Sequence, residues 1–265
     1  MDTERIHGLG DPRVADYRDV REPELVRGRG LFVAEGRLVV RRLIEDARYE
    51  VRSVLVTEAA RASLAAALSR LPPEVPVFVC AAEEFRGLTG YNIHRGCLAL
   101  ARRPPDPSVD AIARGARRLV ALEEIANPDN IGGAFRNAAA FGVGGVVLSP
   151  GCSDPFYRKA IRTSMGATLR VPFARDERWP EALATIRAGG FTIVALTPRE
   201  PAEDLAVAAA RLAGGRIALV LGTEGAGLTP AVEDAADVRV RIPIRPEVDS
   251  LNVAVATGIA LYAFR

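Results

Sequence analysis

The chain of 265 residues predicts an α/β protein whose C-terminal part is a mainly parallel sheet with helices on both faces. Three observations carry that expectation. Short apolar, β-branched runs recur from residue 117 onward: RLVALEEI, GGVVLSP, FTIVALTP, RIALVLG and VRVRIPI. Runs that are apolar on both alternating faces belong to strands buried on both sides, and helical stretches separate most of them. The loops after three of these strands are rich in Gly, Asn, Ser and acid, where open parallel sheets bind their ligands. A smaller α/β pattern precedes all of this.

Hydrophobic residues make up 49% and charged residues 26%, with a net charge of +2. Such a chain buries a core without disulfides or metal. The near-neutral charge announces no nucleic-acid partner by itself. Cys80, Cys97 and Cys152 are far apart and form no C-x-x-C pair, so buried free thiols are expected. Two histidines, His7 and His94, cannot build a His-rich metal site, and no metal is expected. No run approaches the roughly 20 apolar residues of a membrane helix, and the polar, acidic start does not read as a signal peptide. A cytoplasmic protein without membrane contact is the expectation.

Residues 103–116, with several prolines and no apolar run, read as a linker between a domain at 21–102 and a domain at 117–265. In the first domain, Val39, Val40, Leu43 and Ile44 fall at helical spacing within 36–48. VRSVLV (51–56), PVFVCA (76–81) and GCLALA (96–101) read as strands, and Thr57 reads as the cap of an Ala/Leu-rich helix. Arg27, Arg29, Arg37, Arg41 and Arg42 lie close in sequence, as a solvated surface or as an RNA-facing patch.

The first of the three loops is Asn127-Pro128-Asp129-Asn130-Ile131-Gly132-Gly133-Ala134-Phe135-Arg136-Asn137. With Asn130 in the entry loop of the following helix, it shares a cleft with Arg136; a capped helix bearing a surface arginine is the other reading. The second, Leu221 to Leu228, carries Glu224 among glycines and is neither a dinucleotide fingerprint nor a P-loop. The third runs from Ile242-Pro243-Ile244 to Asp249-Ser250-Leu251-Asn252, with Ser250 expected to open a final apolar helix and Asn252 needing polar partners.

Taken together the blocks resemble the three motifs of the SpoU/TrmH family of RNA 2′-O-methyltransferases, members of the SPOUT group. The residues that carry the resemblance are Asn130, Gly132 and Arg136; Gly222, Glu224, Gly225 and Gly227; then Ile242, Pro243, Ser250, Leu251 and Asn252. Thr163 to Ala167 and Val171-Pro172 fit the family's middle region. Phe32 to Gly36 and His94 to Cys97 resemble the ends of a small substrate-binding domain found in many members, with Arg95 where a Gln is usual.

The resemblance implies a trefoil knot in the C-terminal domain and S-adenosylmethionine held by the knotted loops. Cofactor contacts would fall to Thr197, Pro198, Leu221, Gly222, Gly227, Ile242, Ile244 and Leu251. The catalytic set would be Asn130, Arg136, Glu224, Ser250 and Asn252. Arg136 would orient phosphate and stabilise a developing alkoxide, because a guanidinium does not give up its proton to become a base. Glu224 would orient Arg136 or the loop around it. Arg27, Arg29, Arg37, His94 and Arg95 would meet RNA. Ribosomal RNA is the preferred substrate, transfer RNA the alternative, and a non-catalytic RNA-binding paralogue stays open. A homodimer is implied, with the apolar final helix as support.

Overall fold

The computed structural model describes residues 3–8, 10–18, 21–89, 96–245 and 247–265. The chain forms two units, residues 1–105 with 156–166, and residues 106–155 with 167–265.

In the first unit the chain order is β1 (Thr3–Arg5), β2 (Leu31–Glu35), α1 (Arg37–Asp46), β3 (Val51–Thr57), α2 (Glu58–Leu68), β4 (Val77–Cys80), α3 (Ala82–Thr89) and β5 (Cys97–Arg102). They build a mixed five-stranded sheet in the order β1-β4-β3-β5-β2. Thr57 caps α2, its hydroxyl accepting the Ala60 N–H at 3.3 Å. The unit begins earlier than residue 21. β1 pairs in parallel with β4, and Ile6, Val14 and Tyr17 fill the core beside Leu55, Phe78 and Leu98. The buried Tyr17 hydroxyl lies 2.7 Å from Ser53 Oγ and accepts the Leu100 N–H at 3.2 Å. Three core residues spaced without strand or helix period leave no pattern to read in sequence.

In the second unit α4 (Val109–Ala113) comes first, inside the segment expected as linker. Ser108 caps it, and Val109, Ile112 and Ala113 join the core of this unit. A helix of five residues is too short to show amphipathic repeats, which is why prolines and charge dominated the reading. Then follow β6 (Arg118–Leu122), α5 (Pro128–Ala140) and β7 (Gly145–Leu148). The next helix, α6 (Arg158–Thr163), belongs to the first unit, where it packs on β2. Two contacts hold that excursion: Phe156 stacks against Phe32 at 4.8 Å, and the Arg158 N–H donates to the Glu22 carboxylate at 2.8 Å. The segment Thr163–Ala167, expected within the C-terminal domain, is therefore divided after Gly166.

The chain re-enters the second unit and continues through β8 (Phe173–Arg175), α7 (Ala182–Ala188), β9 (Thr192–Leu196), β10 (Glu203–Asp204), α8 (Leu205–Arg211), β11 (Ile217–Leu221), α9 (Pro230–Ala235), β12 (Val238–Arg241) and α10 (Val253–Ala263). The seven-stranded sheet is parallel throughout, in the order β10-β12-β9-β11-β6-β7-β8. Leu119, Ala121, Val147, Ile193, Ala195, Ala218 and Val220 face one helical layer, which includes α4 and α7. Their alternates Val120, Val146, Val194 and Leu219 are equally buried, and α5, α8 and α10 pack against strands β7, β12 and β11. A sheet covered on both faces is the physical reason the strands read as unbroken apolar runs.

Helices α5 and α10 approach closely where Gly133 meets Ala254. A Cβ on Gly133 would lie 2.5 Å from the Ala254 Cβ, too near for either helix to remain in place. Asn137 reinforces the seam, its Nδ2 donating to the Ala254 carbonyl at 2.6 Å. Alanine normally favours a helix interior over glycine by about 1 kcal/mol. Here Gly133→Ala reverses that sign and lowers the thermal midpoint, and Ala254→Gly in the same chain restores most of the loss. Melting of the two single variants and the double variant checks this; equal destabilisation with and without Ala254→Gly removes the seam as the cause.

Candidate active site

Strands β6, β9, β11 and β12 run in parallel, so the loops after them open on one edge of the sheet. After β6, Asn127 caps α5, its side chain accepting the Asp129 N–H at 2.9 Å, with Pro128 at the first helical position. Asn130 thus lies in the first turn of α5 and is buried. Asn130 is therefore helical and not in the entry loop, contrary to the expectation that it shares a cleft with Arg136. Six helical residues turn through about 600°, which puts the two side chains on different faces. Arg136 is exposed, and among the described residues it has no hydrogen bond or ion pair.

After β11 the chain doubles back on itself. A Cβ on Gly222 would meet the Gly227 backbone at 2.4 Å, while the Gly227 N–H donates to the Thr223 carbonyl at 3.0 Å. This turn presents Glu224. Its Oε1 accepts Nδ2 of Asn130 at 3.1 Å and Nδ2 of Asn252 at 2.7 Å. The Asn252 Nδ2 also donates to Asn130 Oδ1 at 2.9 Å. Glu224 therefore engages the two asparagines, and no contact joins it to Arg136 among the described residues. Asn252, not Ser250, caps the last helix: its Oδ1 accepts the N–H groups of Ala254 and Val255 at 3.0 and 3.3 Å. Ser250 lies two residues before the cap, exposed.

Beside this network a cavity of about 440 Å³ opens between the loops. Thr197, Pro198, Leu221, Gly222, Gly227, Ile242, Ile244 and Leu251 all line it, together with Glu224 and Ser250. Its walls are partly apolar side chain and partly glycine backbone, the mixture that suits a small organic ligand with a few polar contacts.

Sequence reasoning missed the groups that hold the glycine-rich loop. Arg199 donates through Nη2 to the Ala226 carbonyl at 2.7 Å and through Nη1 to the Leu228 carbonyl at 3.1 Å. Buried Glu233 on α9 accepts the Thr197 hydroxyl at 2.8 Å and pairs with Arg199 at 3.4 Å. On the other side buried Glu123 accepts the Trp179 Nε1–H at 2.9 Å and both the N–H and hydroxyl of Thr229 at 2.8 Å. A carboxylate directly after a buried strand was the one sequence signal for Glu123. Glu233 reads as the solvent face of a short helix, and Arg199 as one arginine among many.

The basic residues of the first unit are mostly engaged. Arg29 pairs with Asp16 at 2.8 Å and Glu24 at 2.7 Å, so its charge is compensated at the place where RNA contact was expected. Arg27 is exposed and Arg37 half-buried. His94 and Arg95 lie outside the described residues. The three cysteines are buried thiols outside any disulfide, and burial pushes the Cys80 thiol up to about 11.

Residues 117–262 match the model of the SpoU rRNA Methylase family. The chain is 41% identical to an uncharacterized tRNA/rRNA methyltransferase of Mycobacterium bovis, over 99% of this chain and 91% of that one. It is 24% identical to the 23S rRNA (guanosine(2553)-2′-O)-methyltransferase RlmP of Bacillus subtilis, over 98% of this chain and 99% of the other. Among solved structures, the AdoMet-bound rRNA methyltransferase of Sinorhizobium meliloti is similar with a TM-score of 0.84 and 25% identity, covering 99% of this chain and 97% of that one.

The Arg199 clip has a consequence for motion. Arg199→Met leaves the Ala226 and Leu228 carbonyls to water and frees a loop that glycine makes intrinsically soft. Its Gly227 amide exchanges hydrogen faster, with amides of β11 unaffected. Hydrogen exchange read by mass spectrometry tests this; uniform protection across 222–228 in the variant refutes the clip.

Proposed function

The chain belongs to the SpoU rRNA methylase family, and on that premise we propose that it transfers the methyl group of S-adenosylmethionine to a ribose 2′-hydroxyl of RNA, with ribosomal RNA as substrate. The observation that carries this reading is the meeting of Asn130, Glu224 and Asn252 at the edge of a cavity framed by the loops after β9, β11 and β12. The Bacillus relative is named for methylation of a 2′-oxygen in ribosomal RNA, and the Sinorhizobium methyltransferase was crystallised with AdoMet bound.

The cavity fits the cofactor by its chemistry. Leu221, Ile242 and Leu251 offer an apolar bed, and the glycine backbone of 222–227 offers N–H and C=O groups for close contact. S-adenosylmethionine supplies a methyl group on a positive sulfur, an activated carbon that needs no further metal. The protein's own task is to align the hydroxyl with that carbon and to manage its proton. Arg136, exposed and unpaired among the described residues, would meet an RNA phosphate and so hold the substrate backbone in register. Ser250 at the cavity mouth positions the ribose. The loops would carry the family's knot. The first unit would hold RNA through Arg27 and Arg37, in a bacterial cytoplasm.

A homodimer belongs to the same reading. Val255, Ile259 and Tyr262 on α10 are exposed and recur at helical spacing, forming one apolar stripe. Phe141 beside α5 meets the Tyr262 ring at 6.3 Å, so the stripe extends toward the helix that carries Arg136. A charge introduced there, Ile259→Glu, yields a monomer in sedimentation velocity at micromolar concentration, with the wild type at twice that mass. A wild type that sediments as monomer removes the dimer.

Tritiated S-adenosylmethionine, incubated with unmodified ribosomal RNA and separately with unmodified transfer RNA, is expected to label ribose in the ribosomal pool. Label in transfer RNA alone moves the substrate to the alternative, and label on a base overturns the ribose assignment. In the same assay Arg136→Ala loses transfer by about a hundredfold or more while calorimetric affinity for the cofactor stays unchanged. Loss of cofactor affinity instead would place Arg136 in the cavity.

A further inference from the structure

We propose that Glu224 is the proton acceptor for the attacking ribose hydroxyl, a role that rests on the methyl-transfer reading above. The cavity edge offers few groups able to accept a proton at neutral pH. Arg136 is a guanidinium, which stays protonated, and asparagine amides and the Ser250 hydroxyl are not bases. Two carboxylates line the cavity, Glu224 and Asp249. Asp249 is exposed and no hydrogen bond among the described residues fixes it.

Glu224 is fixed through one oxygen only. Both amide donors, from Asn130 and Asn252, fall on Oε1. Oε2 carries no hydrogen bond among the described residues and is the atom left to receive a proton. A carboxylate held by its partner oxygen keeps its direction without being blocked, which is the requirement for a general base. The hold is stiff on both sides, since Asn130 is buried in the first turn of α5 and Asn252 is locked as the cap of α10.

The 2′-oxygen forms its new bond to the methyl carbon with a lone pair as its proton passes to Glu224 Oε2. The carbon–sulfur bond breaks with its electron pair going to sulfur, leaving a neutral thioether. The positive sulfur and the negative carboxylate are both neutralised, so no charge is stranded in the cavity. Glu224, exposed at the cavity edge, then returns the proton to water.

Glu224→Gln is the informative variant. It keeps the shape and keeps a side-chain oxygen for the amides of Asn130 and Asn252, and it cannot take a proton. Wild type, Glu224→Gln and Asp249→Asn are compared in single-turnover transfer to in vitro transcribed 23S ribosomal RNA, with cofactor affinity by calorimetry and thermal midpoint on the same samples. The expected result is a loss in rate of about a hundredfold or more for Glu224→Gln, with affinity and melting unchanged. A rate within error of wild type overturns the proposal. So does loss of cofactor affinity in step with rate, which makes Glu224 a support of the loop, and so does a rate loss confined to Asp249→Asn. A wild type that binds the cofactor and methylates no RNA at all defeats the methyl-transfer reading itself, a different outcome from any of these.

Discussion

A single carboxylate oxygen, Glu224 Oε1, receives two amide hydrogens, and three distant stretches of chain depend on that meeting. Asn130 comes from the first turn of α5, Asn252 from the cap of α10, and Glu224 from the turn after β11. None of the three is held by its neighbours in sequence alone. The asparagines also bond to each other, so the amide of Asn252 has a fixed orientation: its oxygen caps α10 and its nitrogen faces the acid. Turning that amide over would lose the cap and set an oxygen against a carboxylate. The helix start and the polar network therefore enforce one another.

The parallel sheet makes such a meeting possible. Every strand ends on the same edge, and each following loop must turn to a helix on one of two faces. The loops after β6 and β11 are neighbours because those strands pair in register from Ile217–Arg118 to Leu221–Leu122. The seam of Gly133 and Ala254 then brings α10 against α5 closely enough for Asn252 to reach Asn130. A bulkier pair at that crossing would move the helix caps apart before it disturbed the sheet.

What was legible in the sequence follows from how local each cause is. Strands β6, β7, β9 and β11 declared themselves because burial on both faces makes nearly every position apolar, whereas β8 and β10, of three and two residues, are too short to leave a run. The cavity residues were found by their motifs, and the structure gathers them around one space. Asn130 was misplaced because Asn127, Asp129 and Asn130 are all plausible helix starts, and only the hydrogen bond of Asn127 decides among them. Ser250 and Asn252 posed the same ambiguity at α10. Residues 156–166 were assigned to the wrong unit because their partners, Phe32 and Glu22, lie more than a hundred positions away. Long-range packing leaves no periodic trace.

The glycine-rich turn shows why the missed residues matter. Glycine is required where Gly222 touches Gly227, yet each glycine adds backbone freedom that works against a fixed Glu224. The surrounding groups offset this one by one. Arg199 holds the carbonyls after the acid, Glu123 holds the Thr229 that closes the turn, and the asparagines hold the acid itself. Arg199 is half-exposed, so its contribution to overall stability is small. Its effect is local order, which is a different quantity. A loop can thus be soft enough to let a ligand approach its backbone and still present one carboxylate in a single direction, because its anchors bear on the two ends and the tip rather than on the glycines between them.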